Sequence, residues 1–150
     1  IEINGWEVSI DELCTSLIAR RQPNSVDLRL ILAVYKTITD LERIGDEAKK
    51  IALLARQTGR DDRNFPCVSR VRAMGGMVID MLRCSLDAFS RMDPTGAPAV
   101  VLRDTQVDEA FAELVRTGLG FMLEDPRAIS AGLALVFVAK ALERAHVFQK

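Results

Sequence analysis

The sequence predicts an all-α protein, and three observations carry that prediction. Apolar residues recur at steps of three and four through long windows. No segment alternates with period two for long. The polar, proline-bearing stretches RQPNS, TGRDDRNFP, MDPTGAP and EDPR cut the chain into five such windows.

The first window runs from about Glu2 to Arg21, with Ile3, Ile10, Cys14 and Leu17 on one stripe. Pro23 cannot continue a helix, and Asn24 or Ser25 can cap the next one. The second, about Val26 to Gln57, carries a heptad-like stripe of Ile31, Val34, Ile38, Leu41, Gly45, Ala48, Ala52 and Ala55. Its second half narrows to small residues, which lets a neighbouring helix come close. The third window, about Cys67 to Arg91, turns Val71, Met74, Val78, Leu82 and Phe89 inward. The fourth, about Ala99 to Leu123, carries Val100, Val107, Phe111, Leu114 and Phe121. Asp125 caps the fifth and Pro126 takes its first position.

The chain has 150 residues, room for one domain or two small bundles sharing a core. A hydrophobic content of 49% with 27% charged residues is that of a soluble globular protein. The net charge of −1 gives no global field toward nucleic acid or an anionic membrane. Cys14, Cys67 and Cys84 have no metal-ligand spacing, and their odd number suits a reducing, cytosolic compartment. The longest apolar run, AGLALVFVA at 131–139, is too short to span a bilayer. No signal-peptide pattern is visible, and the chain starts at Ile1 without a methionine.

The chain also repeats within itself. Ile10-Asp11-Glu12 matches Val107-Asp108-Glu109, and Leu41-Glu42-Arg43 matches Leu142-Glu143-Arg144. The expected architecture is two pseudo-repeated three-helix bundles, the first lacking its opening helix. Residues 1–57 form the partial first repeat, 58–66 a linker and 67–150 the second repeat.

The repeat duplicates acids. Glu7 and Asp11 are four apart on the first helix, and Asp104 and Asp108 are their counterpart on the fourth. Glu7 and Asp104 fall on apolar stripes, where a carboxylate is costly unless something charged or hydrogen-bonding meets it. Glu42 and Asp46 border the seam of the adjacent helix and repel one another by a few tenths of a kcal/mol. Gly45 between them costs roughly 1 kcal/mol relative to alanine. Two acid pairs on one hairpin make the hard-oxygen environment of a di- or trivalent cation, and Gly45 admits the facing helix.

The stretches RRQPNSVDLRLILAVYKTITDLERIGDEAKKIA (20–52) and MLEDPRAISAGLALVFVAKALER (122–144) resemble the PhoU family of phosphate-transport regulators. The resemblance runs in order over nearly the whole chain, and the Asp-Leu-Glu-Arg-Ile-Gly-Asp block at 40–46 is its most distinctive part. It implies two three-helix bundles related by a pseudo-repeat. It also implies metal ions, iron or zinc or another divalent cation, at acid motifs that fall on Glu7, Asp11, Glu42 and Asp46 and on Asp104, Asp108 and Glu143. After Leu142-Glu143-Arg144 the family continues Ile-Gly-Asp-His, whereas the chain reads Ala145-His146-Val147. The aspartate expected four residues after Glu143 is therefore Val147, which weakens the second site.

By the same resemblance the protein is a non-enzymatic, cytoplasmic negative regulator of the phosphate-starvation response. Its partners are the ATPase subunit of a phosphate ABC transporter and a sensor histidine kinase, and it meets the membrane only through them. A homodimer is expected, with no organic cofactor and no nucleic acid. The residues themselves add no nucleophile–base constellation, with one histidine and three unpartnered cysteines.

Two other readings stay open. Glu143-x-x-His146 spells half of a ferritin-like di-iron motif, but that fold needs two such motifs and His146 is the sole histidine. Alternatively the acids never bind metal and the chain is a plain scaffold, with Asp46 paired to Lys50 one turn on. Gly75-Gly76 reads as a close packing point, and Met74, Met77, Met81 and Met92 as core and interface residues. Arg20, Arg21 and Arg29 read as a solvated turn rather than an anion site.

Overall fold

A computed structural model describes residues 2–57, 67–92 and 97–147, the side chains of 57, 97–102 and 146–147 excepted. The described residues form five α-helices and no strand: α1 (Glu2–Arg21), α2 (Ser25–Gln57), α3 (Val68–Ser90), α4 (Ala97–Glu124) and α5 (Ile129–Val147). A short 3-10 turn, Pro126–Ala128, leads into α5. The expected linker at 58–66 and most of the turn at 92–98 lie outside the described residues.

Local chemistry sets the visible boundaries. Gln22 closes α1 with a left-handed φ of 43°, and Pro23 then forbids helix. Asn24, not Ser25, caps α2: its Oδ1 accepts from the Val26 and Asp27 amides at 2.9 and 3.0 Å. Asp125 accepts from the Arg127 amide at 2.9 Å with Pro126 following it, so the cap falls where the sequence puts it. It caps a 3-10 turn rather than α5 itself.

The chain divides into two compact units, Ile1–Asp46 and Glu47–Lys150, and the division falls inside α2. In the first unit α1 packs on the leading part of α2. The Cys14 thiol donates to the Ile31 carbonyl at 3.9 Å, and Ile3 lies against Gly45. A Cβ added at Gly45 would sit 3.2 Å from Ile3 Cδ1, which is the close approach that the glycine permits. Cys14 and Ile38 are the buried apolar side chains described there.

In the second unit α3, α4 and α5 pack on one another. Met74, Val78 and Met81 of α3 meet Val107, Leu114 and Met122 of α4, and Leu135, Val138 and Ala139 of α5, in one buried core. Gly132 brings α5 against Met122, and a Cβ there would stand 2.7 Å from Met122 Cγ.

Three details of the predicted packing are corrected. Phe89 is exposed, because the buried arc of α3 runs through Met74, Val78 and Met81, the last already read as a core residue, and leaves the end of the expected stripe outside. Met92 is exposed with φ 53°, past the end of α3. Of the glycine pair, Gly75 meets Leu142 at an ordinary 3.9 Å and Gly76 faces open space.

Candidate functional site

Contacts along each hairpin fix where the repeated acids stand. In the first unit, Ile3 against Gly45 and Cys14 against Ile31 make α1 and α2 antiparallel. At about 1.5 Å rise per residue, this brings Glu7 level with Glu42 to within about one turn. Asp11 and Asp46 are displaced from that level in opposite directions along the hairpin. Glu7, Asp11 and Glu42 are half-buried, and Asp46 is exposed.

In the second unit, Gly132 meets Met122, Gly118 meets Val136 at 3.8 Å, and Lys140 Nζ sits 5.2 Å over the Phe111 ring. This ladder carries Glu143 to within about a turn of Asp108 along the axis and puts Asp104 further on, level with Val147. Val147 is the position where the sequence lacks an acid, so α5 offers Asp104 no carboxylate counterpart at its own level. Asp104 and Glu143 are half-buried, each turning one carboxylate oxygen into buried space, while Asp108 is exposed. The inward oxygen of Glu143 lies 2.7 Å from Lys140 Nζ. Asp104 and Asp108 also have interaction partners of their own.

The repeat therefore delivers acids to adjoining helices in both copies but does not converge them. Among the described residues no three His, Cys, Asp or Glu side chains are grouped so as to hold a metal ion. In this arrangement the carboxylates are spread along the two hairpins rather than gathered at one point. The side chain of His146, on which the di-iron reading depends, lies outside the described residues.

Sequence reasoning passed over Glu47. It is 5% exposed, the one charged residue among those described that is fully buried, and its carboxylate meets Lys50 Nζ at 2.6 Å. Lys50 thus pairs with Glu47 and not with Asp46. The signal was available as an acid and a lysine three apart, but which of two neighbouring acids turns inward is set by the packing around them.

Residues 2–55 and 71–145 match the PhoU domain. The chain belongs to the PhoU family. It is 42% identical over 143 residues to the phosphate-specific transport system accessory protein PhoU homolog of Pseudomonas putida, covering 95% of this chain and 56% of that protein. It is 40% identical over 142 residues to the phosphate-specific transport system accessory protein PhoU of Escherichia coli (strain K12), covering 95% of this chain and 58% of the relative. The crystal structure of PhoU from Pseudomonas aeruginosa is also similar, with TM-score 0.94, 40% identity, and 99% of this chain and 71% of that one covered. The chain thus spans between half and two thirds of the length of these curated PhoU relatives. Among the described residues no helix is long and apolar enough to cross a membrane.

Proposed function

We propose that this chain acts in a phosphate-transport accessory protein that works by contact and performs no catalysis. The membership of nearly its whole length in the PhoU family carries this reading. In this reading it works in the cytoplasm as a homodimer and restrains the phosphate-starvation response. It docks on the ATPase subunit of a phosphate ABC transporter and on a sensor histidine kinase, and reaches the membrane only through them.

The abundance of exposed apolar side chains on α1 and the start of α2 supports docking as the mode of action. Co-purification with the transporter ATPase and the kinase, with and without excess phosphate, tests it. Phosphate-dependent capture of both supports the reading, and capture of neither defeats it.

Metal binding at Glu7, Asp11, Glu42, Asp46, Asp104, Asp108 and Glu143 is a separate proposition, because it requires the carboxylates to draw together. Elemental analysis of the protein and of Glu42→Gln/Asp46→Asn decides it. Stoichiometric iron or zinc lost in the double variant supports it, and unchanged metal content and partner binding favour the scaffold.

A further inference from the structure

A groove used by none of these readings lies within the unit Glu47–Lys150, between the final turns of α2 and the second half of α5. It offers a volume of about 480 Å³, open to solvent and within the size range of small-molecule sites. Its walls are largely apolar, with Leu53 and Phe137 both accessible to solvent. Three cations, Lys50, Lys140 and Arg144, line it as well.

The charges select the ligand. Lys50 is held by Glu47 at 2.6 Å and Lys140 by Glu143 at 2.7 Å, so two of the cations already have carboxylate partners. Arg144 has no ion-pair partner among the described residues. The five groups together leave one net positive charge, carried by a guanidinium whose planar fork suits a carboxylate. Glu47, inside the groove and almost fully buried, repels a second negative charge.

We infer that this groove binds a small amphiphilic monoanion, a carboxylate with a compact apolar body. The carboxylate pairs with Arg144 while the apolar body packs on Leu53 and Phe137. The inference does not rest on the transport reading, since it uses only the walls of one unit.

Octanoate is the probe, followed by calorimetry and by the methyl resonances of Leu53 and Leu54 in the intact chain. Saturable binding is expected, weakened at least about fivefold in Arg144→Gln, the scale of one lost partly exposed ion pair. Phe137→Ala weakens it comparably, and both positions are exposed, so folding is retained. Trp6→Ala, on the other unit, leaves it unchanged, and octylammonium does not compete. Absence of saturation up to about 10 mM overturns the inference. So does equal affinity in Arg144→Gln, loss of binding in Trp6→Ala, or displacement by octylammonium or inorganic phosphate.

Discussion

The two units are made of the same kind of helix yet differ in how much of it they bury. In Ile1–Asp46, Trp6 is 67% and Leu13 61% exposed, and Cys14 and Ile38 are the apolar side chains described as buried. In Glu47–Lys150 three mutually packed helices enclose Met74, Met81, Val107 and Leu114, all nearly or wholly out of solvent. Two antiparallel helices share one line of contact, whereas three enclose a volume, and burial rises accordingly. Stability should therefore be concentrated in the second unit.

The largest effect that could break this comparison comes from truncating its two cores. Leu114, 1% exposed, should lose about 3 to 4 kcal/mol as Leu114→Ala. Ile38→Ala, on a hairpin that can collapse around the gap, should cost nearer 2 kcal/mol. Urea denaturation followed by circular dichroism measures both, and equal costs would remove the distinction.

Glycine substitutions sharpen it. Gly132→Ala drives a Cβ to 2.7 Å from Met122 Cγ and 2.8 Å from its sulfur, within a buried contact. A loss of about 1 to 2 kcal/mol is expected from overpacking, even after the gain in helix propensity. Gly45→Ala meets only the far end of the exposed Ile3 at 3.2 Å, so the same propensity gain should leave it neutral or slightly stabilised. Matching melting shifts in the two variants would show that the units do not differ in rigidity.

The smallest effect belongs to one group of the better-packed unit. Burial pushes the Cys67 thiol above its ordinary value of 9.0, with Arg70 partly opposing it. The native state then keeps a proton that the unfolded chain releases. The contribution is complete below the unfolded value near 9 and fades as pH rises through the folded one. Denaturation midpoints at pH 8 and 10 should separate slightly more in the parent than in Cys67→Ala, and identical separations would refute it.

Much of the fold was legible because helix ends are written locally. Pro23 followed by Asn24, and Asp125 followed by Pro126, stop and start helices through their own backbone chemistry, whatever the rest of the chain does. The arc of α3 was less legible. Val71, Met74, Val78, Leu82 and Phe89 are all apolar, and only the partners packed on the helix decide that Phe89 stays exposed while Met81, already read as a core residue, is buried. The acids show the same limit. Spacing put Glu42 and Asp46 on one helix face, but it carried no information about how far α1 slides along α2. Glu47 and the groove lined by Lys140 and Arg144 were hidden for that reason too, since their residues meet only after the chain has folded.

Trp6 is the sole tryptophan of the sequence, and it stands in water on the thinner unit. Its emission should already resemble that of a hydrated indole in the native protein. An intrinsic-fluorescence melt would then register little as the α3–α5 core comes apart, and would misjudge the sturdiest portion of the molecule. A reporter introduced beside that core, such as Phe121→Trp, is the optical handle this protein requires.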